Sequence, residues 1–217
     1  MTEELWSAVD AWFTDRLLPD DPALTAAVER ARRAGLPDIA VSPVEGRFLH
    51  LLARISGARR VLEIGTLGGY STIWLARALP ADGRVVTLEI DPTHAATARE
   101  SLDAAGIGDR VEILVGPALR ALPTLSGPFD LVFVDADKQN NPAYVRAALE
   151  LSRPGTVLVV DNVVRGGGVL DADTRDEMLI GARAVTELAG SDPRLEATAL
   201  QTVGPKGYDG FLLALVR

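Results

Sequence analysis

Apolar residues recur at helical spacing through the first part of the chain. Leu5, Val9, Trp12, Phe13 and Leu17 fall on one face of a stretch from 3 to 18, with Glu and Asp on the other. This predicts an amphipathic helix in which Trp6 and Trp12 are packing residues. Asp21-Pro22 supplies a cap and a first-turn proline for a second helix running to Gly35. A third opens at Ser42-Pro43 and carries Val44, Phe48, Leu51, Leu52 and Ile55.

From Ala58 the rhythm changes. Short apolar runs at 60–65, 84–91, 111–116, 129–136 and 156–162 alternate with helical patterns at 71–79, 94–105, 118–122 and 142–149. Runs as continuous as Leu131-Val132-Phe133-Val134 predict strands covered on both faces. Strand–helix alternation of this kind predicts an α/β fold with a doubly wound, mostly parallel sheet. A Gly166-Gly167-Gly168 loop leads to a helix over 174–189. Two β-like runs follow at 195–201 and 210–216, joined by the turn Gly204-Pro205-Lys206-Gly207. The expectation is one domain over 1–217, with 1–57 as a helical N-terminal extension and 58–217 as the α/β core.

Composition narrows the function. Lys plus Arg number 22 against 30 Asp plus Glu, a net charge of −8, which argues against a nucleic-acid partner. The absence of cysteine excludes disulfides, thiolate zinc sites and a cysteine nucleophile, and fits a reducing, cytoplasmic setting. No apolar run reaches the ~20 residues of a membrane helix, and the acidic start is wrong for a secretory signal, so no membrane partner is expected.

In an open α/β sheet, ligands sit beyond the carboxyl ends of the strands. The first predicted strand ends in Glu63-Ile64-Gly65-Thr66-Leu67-Gly68-Gly69-Tyr70-Ser71, where glycines permit a tight turn and a helix start offers free N–H groups. Leu67 and Tyr70 stand where G-x-G-x-x-G needs glycines, which counts against a dinucleotide, and no G-x-x-x-x-G-K-[ST] is present. Glu89 ends the second strand, where an acid accepts hydrogen bonds from ribose hydroxyls. Asp135-Ala136-Asp137-Lys138 and Asp161-Asn162 end the fourth and fifth. On adjacent strands, Asp135, Asp161 and Asn162 would offer three oxygen donors suited to a hard divalent cation; capping is the alternative use of such residues. His50 and His94 have no partner arrangement for metal binding or a catalytic triad, and Trp74 is expected in the core.

The segment Val61 to Thr72, with Thr87-Leu88-Glu89-Ile90-Asp91, Asp130 to Lys138 and Val159-Val160-Asp161-Asn162-Val163, resembles the cation-dependent O-methyltransferases of catechol and caffeoyl-CoA type. The glycine loop marks only a methyltransferase; Asp-Ala-Asp-Lys with the later Asp-Asn is more specific. The resemblance implies a Rossmann-like methyltransferase sheet with an antiparallel last strand, a homodimer, and S-adenosylmethionine with Mg²⁺, Mn²⁺ or Ca²⁺ as cofactors. Glu63, Gly65, Thr66 and Ser71 would surround the methionine and ribose, Glu89 would hold the ribose hydroxyls, and Val41, Ala118 and Asp135 would complete the cofactor site. Asp135, Asp161 and Asn162 would bind the metal, Lys138 would be the general base, and Asp135 would share in catalysis. The implied substrate is a hydroxylated aromatic small molecule, a vicinal diol.

Two departures bear on that substrate. Relatives commonly carry Tyr where this chain has Asn141, and many carry Trp where it has Arg165 followed by three glycines. An aromatic wall gives way to a cation and a flexible loop, leaving room for an acidic or larger acceptor. Tyr208 is expected either to wall the pocket or to pack on the hairpin, and the N-terminal helices to form a lid, a dimer contact or plain core. The alternatives are a metal-independent methyltransferase of another small nucleophile and a nucleotide-binding α/β protein that transfers no methyl group.

Overall fold

The computed structural model describes residues 2–217. Three helices lead: α1 (Glu3–Leu17), α2 (Pro22–Arg33) and α3 (Pro43–Ile55). Asp21 caps α2 by accepting from the N–H groups of Ala23 and Leu24, and Ser42 with Glu45 forms a reciprocal capping box at the start of α3. Then β1 (Arg60–Ile64), α4 (Tyr70–Ala78), β2 (Arg84–Glu89), α5 (Pro92–Ala104), β3 (Val111–Val115), α6 (Ala118–Ala121), β4 (Leu131–Val134), α7 (Asn141–Glu150), β5 (Val157–Asp161), α8 (Glu177–Ser191), β6 (Leu195–Gly204) and β7 (Gly207–Val216) follow.

The strands form one sheet in the order β3-β2-β1-β4-β5-β7-β6. The first five pair in parallel; β7 runs antiparallel to both β5 and β6. Alternate strand residues feed two apolar layers. Val61, Leu131, Phe133, Val157 and Val159 join Leu24, Ala27, Leu49, Ala53, Ile73 and Leu102 on one face. Leu62, Ile64, Val132, Val134, Leu158 and Val160 join Tyr144, Val145, Ala148, Val185 and Ala189 on the other. Thus α2 and α3 belong to the core. Trp74 is buried, and His50 sits behind it with its Nδ1 3.1 Å from the Trp74 carbonyl oxygen.

Two expectations need correction. The apolar face of α1 is only partly covered by its own chain: the helix lies along β6 and touches α3, but it has no buried residue, and Trp12 is 52 % exposed, edge-on to Phe13 and beneath the Arg16 guanidinium. The closing hairpin is also longer than the apolar runs suggested. β6 is an edge strand, exposed over nearly its whole length, so polar residues such as Gln201 and Thr202 extend it without an alternating signal. Among the described residues no helix is long and apolar enough to cross a membrane.

Candidate active site

The sheet order reverses direction between β1 and β4, and a crevice opens at the carboxyl ends of the strands flanking such a switch point. Register places Glu63 beside Thr87 and Phe133, and Val134 beside Val160, so Asp135 and Asp161 emerge from neighbouring strand ends. Strand alternation sends Glu63, Glu89, Asp135 and Asp161 towards the face covered by α3 and α4.

The loop after β1 is held from below. Glu63 is fully buried and accepts from the hydroxyls of Ser71 (2.6 Å), Thr72 (2.5 Å) and Thr87 (2.7 Å). Burial pushes its carboxyl up to about 7, against the three hydroxyl bonds that favour the charged form; the Asp135 charge adds a smaller upward push. Its side chain therefore fixes the start of α4 and has no exposed surface. The Thr66 and Thr87 hydroxyls lie 2.6 Å apart, continuing the buried chain upward.

Glu89 organises the loop from the side. Its Oε2 accepts from the N–H groups of Thr66 (3.1 Å) and Leu67 (2.8 Å), and its Oε1 from that of Asp91 (3.0 Å). This anchors Leu67, whose φ of 50° is a left-handed conformation. The Nδ1 of His94 lies 3.5 Å from the same Oε1, bringing a histidine with no partner legible in the sequence to the edge of the site. Val41 is buried in the apolar layer beneath α3, and Ala118 starts α6 at the rim of the opposite layer.

The second half of the site is ionic. The Nζ of Lys138 donates to Asp135 Oδ1 at 2.6 Å, and the lysine is almost wholly buried. The tight turn that carries it lies against α8, where a Cβ on Gly181 would overlap the Lys138 carbonyl oxygen. Burial first, then the charges of Asp135 and Glu45, push the Asp161 carboxyl well above the usual range, while Lys138 pulls the other way.

Glu45 was missed as a site residue. Its capping box with Ser42 is visible in sequence, but its contact with the Asp161 carboxyl is not. Burial, then Asp135, raises the Glu45 carboxyl; Lys206, reaching over from the β6–β7 turn, lowers it. Lys206 was also missed. It was legible only as part of a turn, and it faces Glu45, Asp135, Asp161 and Asp38.

Crowded carboxylates of this kind are stable when a proton or cation offsets their charge. Among the described residues no three Asp, Glu, His or Cys side chains make a metal site by themselves, so a third oxygen has to come from elsewhere. Asn162 can supply it. It follows Asp161 directly, is half-buried, and adopts a φ of 58° that asparagine tolerates. Two carboxylates and an amide are hard donors, and the set fits a divalent cation of the Mg²⁺ class.

A family model described as O-methyltransferase matches residues 18–215. The chain is 60 % identical over 210 residues to a catechol O-methyltransferase of Mycobacterium tuberculosis, covering 96 % of this chain and 95 % of the relative. It is 48 % identical to a catechol O-methyltransferase of Niastella koreensis over the full length of both. A crystal structure of the O-methyltransferase from Bacillus cereus in complex with SAH superposes with a TM-score of 0.98, at 53 % identity and full coverage of both chains. With this sheet order, this loop and these strand ends, the chain belongs to that O-methyltransferase family.

Proposed function

We propose that the chain transfers a methyl group from S-adenosylmethionine to one hydroxyl of a small vicinal diol on an aromatic ring, of catechol or caffeoyl type, assisted by Mg²⁺ or by Mn²⁺ or Ca²⁺. One observation carries the reading: the ends of β4 and β5 bring Asp135, Lys138 and Asp161 together beside the glycine loop of β1. The catechol O-methyltransferase relatives support the acceptor class, and the SAH-bound relative supports the cofactor.

The cofactor supplies an electrophilic sulfonium methyl, and a divalent cation would grip two vicinal oxygens and favour a phenolate, whose parent phenol otherwise ionises near pH ~10. The protein's part is positioning and proton handling. Gly65, Thr66 and Ser71 line the methionine and ribose, with Glu63 fixing them from beneath; Glu89 keeps acceptor capacity for the ribose hydroxyls. Val41, Ala118 and Asp135 complete that half. Asp135, Asp161 and Asn162 would hold the cation. Lys138, its nitrogen fixed by the 2.6 Å bond to Asp135, would act as the base in its free-amine form, accepting the phenolic proton to become an ammonium as the oxygen attacks in line, and losing that proton to solvent before the next turnover. Fixing two reactants in that line is worth several kcal/mol, on the order of 7 or more in favourable cases.

The enzyme acts in the cytoplasm, supported by its cysteine-free composition, and as a homodimer, supported by the partly uncovered apolar face of α1. Methyl transfer from labelled S-adenosylmethionine to catechol and to phenol, with Mg²⁺ and with EDTA, tests the reading. Catechol should be methylated, phenol poorly, and EDTA should abolish transfer. EDTA-resistant transfer, or a preference for phenol, overturns the role of the cation.

A further inference from the structure

A cleft of about 410 Å³ lies beside the β5 tip, between the start of α1, the loop after β5 and the β6–β7 turn. Its lining includes Glu3, Arg165, Asp176, Lys206, Tyr208 and Asp209. Lys206 joins the cleft to the site, since it lines the one and faces Glu45, Asp135 and Asp161 of the other.

The backbone of Arg165 is held in an uncommon conformation, with φ 51°. Asp209 maintains it: one carboxylate oxygen accepts from the N–H groups of Val164 (3.1 Å), Arg165 (2.8 Å) and Gly210 (2.9 Å). A non-glycine residue kept in such a region by surrounding bonds is a mark of functional positioning.

The charges of the cleft are unequally committed. Asp209 is engaged by backbone, and Asp176 caps α8 by accepting from Met178 at 2.8 Å. Glu3 lies in the first turn of α1, where the helix end favours a negative charge. Lys206 is shared with Glu45, Asp135 and Asp161. Arg165 has no carboxylate partner among the described residues, and its guanidinium meets only the Met178 sulfur, at 3.7 Å. Tyr208 stands in the cleft wall, its hydroxyl bonded to Gln201 of the neighbouring strand.

We propose that this cleft receives an anionic substituent of the methyl acceptor and that Arg165 is the specificity-determining residue. The favoured acceptors are vicinal diols bearing a carboxylate a few atoms from the ring. Guanidinium and carboxylate match as a planar, two-pronged pair, which a neutral catechol cannot use. The inference rests on the methyl-acceptor reading above.

The test compares kcat/KM for 3-(3,4-dihydroxyphenyl)propanoate with that for 4-propylcatechol, in the wild type and in the Arg165→Gln and Arg165→Lys variants. The wild type should prefer the acid by about tenfold or more, the scale of one charge-assisted hydrogen bond. Arg165→Gln should abolish the preference, and Arg165→Lys should restore part of it. SAH binding by titration verifies that each variant is folded. A wild type without acid preference, or an acid-to-neutral ratio unchanged in Arg165→Gln, overturns the inference alone. Methylation of neither diol overturns the acceptor reading and this inference with it.

Discussion

Gly65 and Asp135 meet backbone to backbone: a Cβ on Gly65 would run into the Asp135 carbonyl oxygen and lie 2.7 Å from its carbonyl carbon. The φ of 103° at Gly65 is a second reason for glycine there. The contact joins the loop of one half-site to the strand tip of the other, so displacing either displaces both. Gly65→Ala is expected to cost roughly 1–3 kcal/mol from conformation alone, with steric overlap in addition. Calorimetry should give a melting point several degrees lower, and titration with SAH an affinity reduced by at least about tenfold; an alanine variant that binds SAH like the wild type contradicts the coupling.

The buried Glu63 predicts an unusual pH dependence. Its carboxyl rises from 4.5 to about 7 on folding, so between those values the folded state binds more protons than the unfolded state. Stability therefore falls as pH rises through that window, and the cost is complete above about 7. For this one group the loss is roughly 3 kcal/mol at most. Denaturant unfolding at pH 5 and pH 8 should show the decline. Glu63→Gln should flatten it, with one or two of the surrounding hydroxyls turning to accept from the new amide. The same slope in wild type and variant would assign the effect to other groups.

A doubly wound, mostly parallel sheet could be anticipated because β4 and β5 are apolar on both faces, and continuous runs such as Val157 to Val160 have little other use. The strand-end acids were legible for the same reason: a polar residue closing an apolar run marks where the strand leaves the core. Glu45 and Lys206 were not. Glu45 looks like any capping-box glutamate, and its contact with Asp161 links residues far apart in the chain. Lys206 gains its meaning only from the length of the hairpin, set by a β6 whose exposed side chains carry no burial pattern. For α1 the pattern gives the helix and its apolar face, but periodicity does not report what covers that face, so Trp12 was expected to pack and is half exposed.

Asp161 sets stability against function. Its buried carboxyl faces those of Asp135 and Glu45, against which Lys138 and, from the β6–β7 turn, Lys206 set positive charge. Asp161→Asn keeps the oxygen that accepts from the Asn162 N–H at 2.7 Å while deleting the repelled charge. The variant should melt a few degrees higher, on the order of 2–4 °C per kcal/mol gained, and lose Mg²⁺-dependent methyl transfer. A lower melting point without added metal would show that the charge is not a burden.

Lys138 predicts a kinetic signature. As proton acceptor, its replacement by Met should lower kcat by about 10²–10⁴ while leaving the SAH dissociation constant within a few-fold. The loss should shrink for acceptors whose hydroxyl is already acidic, such as a nitro-substituted catechol, because less of the barrier then depends on a base. An equal loss across acceptors of different acidity would make Lys138 a positioning residue for Asp135 and not the base.

The apolar stripe of α1 predicts how two copies meet. Leu5, Val9, Trp12 and Leu17 are between 43 and 64 % exposed, and α1 packs along β6, where Leu200 and Val203 are also about half exposed. An apolar surface of that extent is a liability unless a partner covers it. Each such side chain buried contributes roughly 1.5–3 kcal/mol, so Val9→Glu with Trp12→Glu should weaken association by about 100-fold or more. Sedimentation should find the wild type dimeric at micromolar concentration and the double variant monomeric. Because neither side chain takes part in the hydrogen-bond network of the site, SAH binding should persist in the monomer. A wild type that sediments as a monomer, or a double variant that remains dimeric, assigns the stripe to another use.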